Sequence, residues 1–185
     1  MRIVGGKFKG REIKGPTGGV TRPTSDRVRE SIFNILAHGI DGFTLEDVRV
    51  IDLFAGTGAL GIEALSRGAR FCCFVEDDAG ARGTIRTNAD LCGAIGQTKI
   101  WRRDATLLGP CAPQTPYGLA FCDPPYGKGL GEKALASLVE GQWLVSSAVV
   151  VLEEASKSIV ADVEGLTLLD TRNYGDTQVR IYRAV

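Results

Sequence analysis

The chain has 185 residues, of which 44% are hydrophobic and 24% are charged, and its formal net charge is zero. These values are typical of one globular domain, and no apolar run approaches the roughly 20 residues that a membrane helix needs. A single histidine and five cysteines without a CxxC pair argue against a zinc site, while free thiols and the lack of a signal-peptide pattern predict a cytoplasmic protein.

Positive charge is concentrated at the start of the chain, where residues 1–30 carry eight basic and three acidic side chains. The net charge of +5 there is balanced by −5 over the remaining residues. Such asymmetry is expected of a protein that binds a polyanion at one end, although a solvated basic surface explains it equally well. The basic candidates are Arg2, Lys7, Lys9, Arg11, Lys14, Arg22, Arg27 and Arg29.

The first predicted elements are an arm and a helix. Residues 2–15 alternate in polarity and are interrupted by glycines, which predicts a short β-hairpin arm. Thr24 is the expected N-cap of a helix over residues 25–37. We therefore expect one domain over residues 1–185, with a basic arm over residues 1–23 and a core over residues 24–185.

Short apolar runs then alternate with helical patterns. The predicted strands cover residues 48–54, 71–75, 99–103, 119–122 and 148–153, and the predicted helices cover residues 59–67, 79–91 and 132–139. This alternation indicates an α/β protein with a parallel sheet and helices on both faces. The last two strands, residues 166–169 and 178–182, are too close together for a crossover helix, which predicts an antiparallel hairpin at the sheet edge.

A glycine-rich loop follows the first predicted core strand. Residues 56–61 match GxGxxG and open a helix, and Glu76 lies near the distance expected of a ribose-binding acid. This pattern alone is also compatible with a nicotinamide or flavin oxidoreductase. Asp52 argues against a dinucleotide, because a carboxylate beside the loop would repel a pyrophosphate. S-adenosyl-L-methionine (AdoMet) has no phosphate, and an acid would attract its ammonium and sulfonium groups; alternatively, Asp52 bonds to loop amides.

Acidic residues end four successive predicted strands. They are Asp52, Glu76, Asp104 and Asp123. Because ligands of open α/β sheets bind at the carboxyl ends of the strands, we expect these acids to gather at one edge. Glu76 would accept the ribose hydroxyls and Asp104 the adenine amino group, unless they are N-caps of the helices that follow.

The most informative segment is residues 123–126, Asp-Pro-Pro-Tyr, which we call the shelf. It follows an apolar run, and each proline fixes its own φ and removes a donor. The result is a stiff segment rich in acceptors, with Tyr126 offering a face for stacking. An exocyclic amino group of a nucleobase needs two acceptors and a stacking partner. A rigid surface turn is the structural alternative.

With residues 52–58, Glu76 and the shelf, the sequence resembles the class I AdoMet-dependent amino-methyltransferases. Segments 2–11 and 22–34 are similar to the RsmD family of bacterial 16S rRNA guanine-N2 methyltransferases, and the resemblance covers essentially the whole chain. It implies a Rossmann-like fold with a seven-stranded, mostly parallel sheet and a reversed C-terminal strand. It also implies AdoMet as cofactor and 16S rRNA, within the assembled small ribosomal subunit, as substrate.

The site residues follow from the motifs and this resemblance. The predicted catalytic residues are Asp123, Pro124 and Tyr126, and the predicted cofactor-binding residues are Asp52, Phe54, Gly56, Gly58, Glu76, Asp104 and Ala105. The predicted RNA-binding residues are the eight basic candidates of residues 1–30 named above. We expect a monomer without metal or membrane association. Three alternatives remain open: methylation of adenine N6 or cytosine N4 in DNA or RNA, a catalytically silent RNA-binding assembly factor, and the oxidoreductase. The roles of Arg22, Thr24, Arg27, Tyr174 and Arg180 are left unassigned.

Overall fold

The computed structural model describes residues 1–18 and 24–185. Four α-helices flank one sheet: α1 Asp26–His38, α2 Ala59–Ser66, α3 Ala79–Leu91 and α4 Leu130–Glu140. The strands are β1 Arg49–Leu53, β2 Phe71–Val75, β3 Thr98–Trp101, β4 Tyr117–Cys122, β5 Leu144–Ala155, β6 Leu166–Tyr174 and β7 Thr177–Ala184. Short 3₁₀ helices cover Gly6–Phe8 and Ile95–Gln97.

The sheet confirms the expected architecture. Its seven strands lie in the order β3-β2-β1-β4-β5-β7-β6, with β1 to β5 parallel to one another. β7 runs antiparallel to both β5 and β6, and is the reversed strand. Since the strand order changes direction at β1, the carboxyl ends of β1, β2 and β4 meet at the position where open α/β sheets bind ligands.

The terminal hairpin is longer than its sequence predicted. Pairing continues to Tyr174 opposite Thr177, so the connection is a two-residue turn, shorter than the segment between the predicted strands. Gly175 takes φ +59 in this turn, a value that glycine adopts without steric cost. Residues 172–174 therefore belong to β6, and the end of this strand lies near Tyr126 of the shelf.

Two hydrophobic cores lie on opposite faces of the sheet. The first contains buried side chains of α1, α2 and α3 together with Ile3, Phe8 and Ile13 of the arm. The second contains buried side chains of α4 and the fully buried Trp143. Neighbouring strand residues alternate between these cores, as the period of a β-strand requires. The arm is therefore part of the folded body.

The arm is a loop rather than the regular hairpin expected from its alternation. Its two sides meet in a single antiparallel bridge between Arg2 and Glu12, with a 3₁₀ helix at the tip. Gly6 and Gly10 take φ values of +76 and +85, which interrupt any regular ladder. The Ile3 N–H still donates to the Arg11 carbonyl at 3.0 Å, so the two sides remain joined.

A buried ion pair anchors the arm and corrects one prediction. The Glu63 carboxylate is fully buried and accepts the Val4 and Gly5 N–H groups at 2.9 and 2.8 Å. It also lies 2.9 Å from the Arg67 Nε and 3.4 Å from the Arg29 Nε. Arg29 is itself fully buried, so it supports the fold and is not the RNA-binding residue that its charge suggested.

One side chain joins the arm to the glycine loop. The Asn88 amide nitrogen donates to the Lys14 and Thr57 carbonyls at 3.0 and 2.9 Å. The Lys14 N–H donates back to the Asn88 Oδ1 at 2.7 Å. Because Asn88 is fully buried on α3, this contact holds the arm, the helix and residues 56–61 in one arrangement.

The start of α1 also differs from its prediction. Ser25, not Thr24, is the N-cap, and its hydroxyl accepts the Val28 N–H at 3.2 Å. Ser25 has the extended geometry of an N-cap, with φ −60 and ψ 151. The Thr24 hydroxyl instead points to acidic groups at the end of the sheet. Within residues 1–18 and 24–185, no helix has the length and hydropathy to span a membrane.

Candidate active site

The glycine loop folds tightly between β1 and α2. Phe54, Gly56 and Gly58 take positive φ values of 54, 57 and 79, which turn the chain sharply. A Cβ on Gly58 would lie 3.2 Å from the Phe74 ring and 3.3 Å from an Ile85 methyl group. A Cβ on Gly56 would meet only a backbone oxygen at 3.9 Å. The loop is thus packed against β2 and α3 below and open above Gly56.

Two N–H groups of the loop donate hydrogen bonds to carboxylates. The Glu76 Oε2 accepts the Gly56 N–H at 2.8 Å, and its Oε1 accepts the Asp78 N–H at 3.0 Å. The Asp52 Oδ2 accepts the Gly61 N–H at 3.0 Å. A pyrophosphate needs such amides free, so this donor set does not fit a dinucleotide. It fits a ligand that carries positive charge and no phosphate.

Asp52 lies beneath the loop rather than at a surface. It is 1% exposed, and burial raises the pKa of its carboxyl well above the usual range, while the Gly61 N–H opposes this rise. Nearby negative charge on Asp123 and Glu76 raises the pKa further. Asp52 therefore supports the loop, as the structural alternative expects, and its direct contact with a cofactor stays a prediction. Asp123 and Glu76 both lie within electrostatic range of Asp52.

Asp104 and Ala105 lie beyond the end of β3. Asp104 is exposed, and its Oδ1 accepts the Thr106 hydroxyl and N–H at 2.7 and 2.8 Å, which lowers the pKa of Asp104. Ala105 is 3% exposed and packs in the second core. Their contacts with a cofactor, like those of Phe54, Gly56, Gly58 and Glu76, stay predictions.

The shelf is held by its backbone at the end of β4. The Asp123 N–H donates to the Leu53 carbonyl at 3.4 Å, which joins the shelf to β1. The Gly127 N–H donates to the Glu154 Oε1 at 2.9 Å and ties the far end of the shelf to β5. Within residues 1–18 and 24–185, no group donates a hydrogen bond to the carbonyl oxygen of the buried Pro124. The shelf therefore keeps an acceptor in place.

A second acid adjoins Asp123. Glu153 is 2% exposed near the end of β5, and its carboxylate oxygens lie 3.0 and 3.2 Å from the Thr24 hydroxyl. The same hydroxyl lies 3.2 Å from the Asp123 Oδ2. A hydroxyl has one hydrogen to donate, so Thr24 can serve only one of these acids at a time. The Tyr126 hydroxyl lies 3.5 Å from Glu153 and 3.2 Å from the Thr177 hydroxyl.

The environment shifts the protonation of both acids. Burial raises the pKa of Asp123 to about 7, the Thr24 hydrogen bond opposes this rise, and the charge of Glu154 adds to it. Burial raises the pKa of Glu153 well above its usual range, and the charge of Asp123 adds to that effect. Because the two carboxyls interact, the protons that they bind belong to the pair rather than to either residue alone.

An open cleft of about 390 Å³ lies beside these acids. It lies between the start of α1, the shelf and the β6–β7 turn, and its lining includes Thr24, Arg27, Tyr126, Glu153 and Tyr174. A volume of this order is typical of small-molecule sites and accommodates a nucleobase. Tyr174, unassigned from sequence, thus belongs to the cleft, whereas Arg180 donates its Nε to the Tyr182 hydroxyl at 2.9 Å.

The remaining basic candidates are exposed. Arg2, Lys7, Lys9, Arg11, Lys14 and Arg27 lie at the surface, while Arg22 lies outside the described residues. Lys7 is 3.4 Å from the Gln97 side-chain oxygen, and the Arg11 guanidinium donates to the Leu91 carbonyl at 3.0 Å. These contacts fix the arm's charges on the body of the protein. Of the described basic candidates, Arg27 lines the cleft.

Sequence reasoning missed Glu153 and the role of Thr24. Glu153 directly follows the apolar run of residues 148–152, as Asp123 follows that of β4. The rule that identified the other strand-end acids would therefore have found it. Thr24 was interpreted as a helix cap because Thr and Ser are both capping residues, and its true partners are distant in sequence.

The chain matches known proteins over nearly its full length. Residues 1–183 match the family model described as "Conserved hypothetical protein 95". The Bacillus subtilis protein named "Putative rRNA methyltransferase YlbH" is 38% identical over 99% of this chain and 98% of that protein. "Ribosomal RNA small subunit methyltransferase D" of Escherichia coli is 36% identical over 83% of this chain and 74% of that protein.

A solved structure from Escherichia coli, named "Putative methyltransferase yhhF", superposes with a TM-score of 0.83 at 31% identity. The superposition covers 100% of this chain and 97% of that one, so the sheet, the loop and the shelf belong to a Rossmann-like class I methyltransferase fold. The chain belongs to the Conserved hypothetical protein 95 family, that of the ribosomal RNA small subunit methyltransferase D proteins.

Proposed function

We propose that the protein transfers a methyl group from AdoMet to the exocyclic N2 of a guanine in 16S rRNA within the small ribosomal subunit. The observation that carries this proposal is the shelf, which holds two acceptors beside a glycine loop whose amides are capped by carboxylates. The relatives named as rRNA methyltransferases support the class of substrate. The open cleft beside the shelf supports entry of a base.

The cofactor site fits a cationic donor. Glu76 would accept the ribose hydroxyls, Phe54, Gly56 and Gly58 would form the adjoining wall, and Asp104 would accept the adenine amino group. When bound there, AdoMet supplies an electrophilic methyl group. Asp52 contributes by holding the loop from below. Negative charge from these acids favours the sulfonium over a neutral competitor.

The shelf prepares the nucleophile. The guanine N2 lone pair is delocalised into the ring, so the amine is a weak nucleophile. The Asp123 carboxylate and the Pro124 carbonyl would accept hydrogen bonds from its two N–H groups and favour a pyramidal nitrogen with a localised lone pair. That lone pair would form the N–C bond as the S–C bond of the donor breaks, and the methylated nitrogen would then release one proton. A hydrogen bond to a charged group contributes about 1.5–3 kcal/mol, so alignment of the reacting atoms must supply the remainder. Tyr126 would stack on the base while its hydroxyl stays anchored to Thr177.

The acceptor role of Asp123 predicts a pH dependence. Asp123 accepts fully only as a carboxylate, and its pKa is raised to about 7. We expect kcat/KM to rise with pH up to a plateau above about pH 7.5 and to fall about tenfold per unit on the acid side. The midpoint belongs to the Asp123–Glu153 pair. Initial rates between about pH 5.5 and 8.5 at constant ionic strength measure this profile.

Asp123→Asn is the matched variant for the pH profile, because it keeps an acceptor oxygen and cannot ionise. Its acid limb should be absent and its rate low at every pH. A midpoint near neutral pH that persists in Asp123→Asn would assign the titration to another group.

The arm is proposed to bind rRNA phosphates. Its cations are exposed and fixed to the body, so they form a preformed basic surface. Each phosphate contact contributes about −0.7 to −0.9 to the slope of log K against log salt. Replacing Lys7, Lys9 and Arg11 by Ala should therefore make the slope shallower by roughly 2–3. Filter binding or fluorescence anisotropy with labelled RNA at several salt concentrations gives this value.

The matched control for the arm is Lys133→Ala. Lys133 is exposed on α4, which packs on the opposite face of the sheet from the arm. Its salt slope should equal that of the unmodified protein. An unchanged slope in the arm variant would remove the arm from the RNA surface.

The proposed reaction is tested by methyl transfer from labelled AdoMet to naked 16S rRNA, small subunits and duplex DNA in parallel. We expect label in small-subunit rRNA, and nucleoside analysis should identify N2-methylguanosine. Label in adenine N6 or cytosine N4, or only in DNA, would replace the proposed substrate. Absence of transfer with retained RNA binding would favour a silent assembly factor.

A further inference from the structure

We propose, on the basis of the proposed function, that Glu153 is the specificity-determining residue that selects guanine by accepting its N1–H next to the Asp123 site for N2. Glu153 lines the cleft although it is 2% exposed. It lies beside Asp123, because one Thr24 hydroxyl lies within 3.2 Å of both carboxylates. No step of the methyl transfer itself requires a second acid at this position.

The pair of acids presents adjacent acceptors. Guanine carries adjacent donors on its Watson–Crick edge, the N1–H and the N2 amino group. Adenine and cytosine place a ring nitrogen lone pair next to their amino group instead. A carboxylate facing that lone pair would be repelled and left without a partner. Because unpaired buried polar groups are costly, this arrangement rejects adenine and cytosine and accepts guanine.

A shared proton does not remove this selectivity. A protonated carboxyl keeps an acceptor oxygen, so each acid still offers one acceptor when the pair holds one proton. The Thr24 and Tyr126 hydroxyls lie near the Glu153 oxygens and hold the group in the lining of the cleft. Glu154, the other neighbouring acid, is directed away and binds the Gly127 and Ala155 N–H groups at 2.9 and 2.7 Å.

The test compares guanine with 2-aminopurine at the methylated position of 16S rRNA that is ligated from a synthetic fragment and reconstituted into small subunits. 2-Aminopurine keeps the exocyclic amine but has a lone pair at N1 where guanine has a hydrogen. The unmodified protein should methylate guanine roughly 10- to 100-fold more efficiently than 2-aminopurine, measured as kcat/KM. In Glu153→Gln the amide can rotate to donate to that lone pair, so the ratio should fall to within about threefold of unity.

Glu154→Gln is the matched control, since Glu154 is equally buried and adjacent in sequence. It should keep the guanine preference. Both values of kcat/KM are measured with the same protein sample, so a partial loss of folded enzyme lowers both equally and leaves their ratio unchanged. Equal rates with guanine and 2-aminopurine in the unmodified protein, or an unchanged ratio in Glu153→Gln, would overturn the inference. Failure of the unmodified protein to methylate guanine N2 at all would instead contradict the proposed function.

Discussion

Asp123→Ala should lower kcat by roughly 10- to 150-fold while the Kd for AdoMet stays within about twofold. The expected loss corresponds to one charge-assisted hydrogen bond formed with the reacting amine. Asp123 lies at the end of β4, across β1 from the Glu76 and Gly56 contact, so its removal should leave the loop intact. Single-turnover methyl transfer measures the rate, and isothermal titration calorimetry measures the affinity.

Asp123→Asn provides the control for size, because it retains an acceptor oxygen without the charge. Its rate should lie between those of Asp123→Ala and the unmodified protein. Comparable losses of rate and AdoMet affinity in Asp123→Ala would mean that the residue shapes the site rather than acting on the amine. A circular dichroism melt of each variant separates either result from unfolding.

Glu63→Ala should lower the free energy of unfolding by about 3–5 kcal/mol, because it removes the buried acid from a buried ion pair. The half-exposed Asp26, 2.8 Å from the Arg29 guanidinium, then remains as the acidic partner of Arg29. The Glu63 carboxylate is fully buried and contacts Arg29, which is equally buried, as well as two backbone N–H groups of the arm. Urea denaturation followed by fluorescence of the two tryptophans measures the change. Limited proteolysis should also cut the arm sooner, since two of its attachments are lost.

Glu12→Ala is the matched control for Glu63, because Glu12 also pairs with an arginine of the arm. Its partner Arg2 lies 3.9 Å away, and both side chains are mostly exposed. An exposed pair contributes at most about 1 kcal/mol, so this variant should change stability little. A loss below that value in Glu63→Ala would show that the Glu63 contacts do not anchor the arm.

Local sequence patterns predicted the central elements closely. The limits of β2 and α3 agree with the predictions, because each has a clear period and a defined end: β2 is an apolar run, and Asp78 caps α3 with a side-chain acceptor. The gathering of Asp52, Glu76 and Asp123 followed from the parallel sheet alone. Where the pattern is local, the expected fold is confirmed, and the roles of the site residues stay predictions.

The structure differs from the sequence predictions where contacts between residues far apart in sequence determine the conformation. Thr24 and Ser25 are both good N-caps, and only the acids at the ends of β4 and β5 draw Thr24 out of that role. Arg29 has the charge of a surface residue, but its partner Glu63 lies 34 positions away. The β6–β7 pairing extends to Tyr174 because a neighbouring strand is available, which its own turn-like sequence does not indicate.

The arm is packed into the body of the protein, so deleting it would affect more than RNA binding. Ile3, Phe8 and Ile13 fill the first core, and Asn88 ties Lys14 to the segment that follows β1. A truncated protein lacking the first 18 residues would therefore expose apolar surface and loosen the donor pocket at the same time. Substitutions that remove charge from exposed residues of the arm change the electrostatic attraction to RNA and leave the fold intact. Deletion of the arm would change RNA binding and the stability of the fold together.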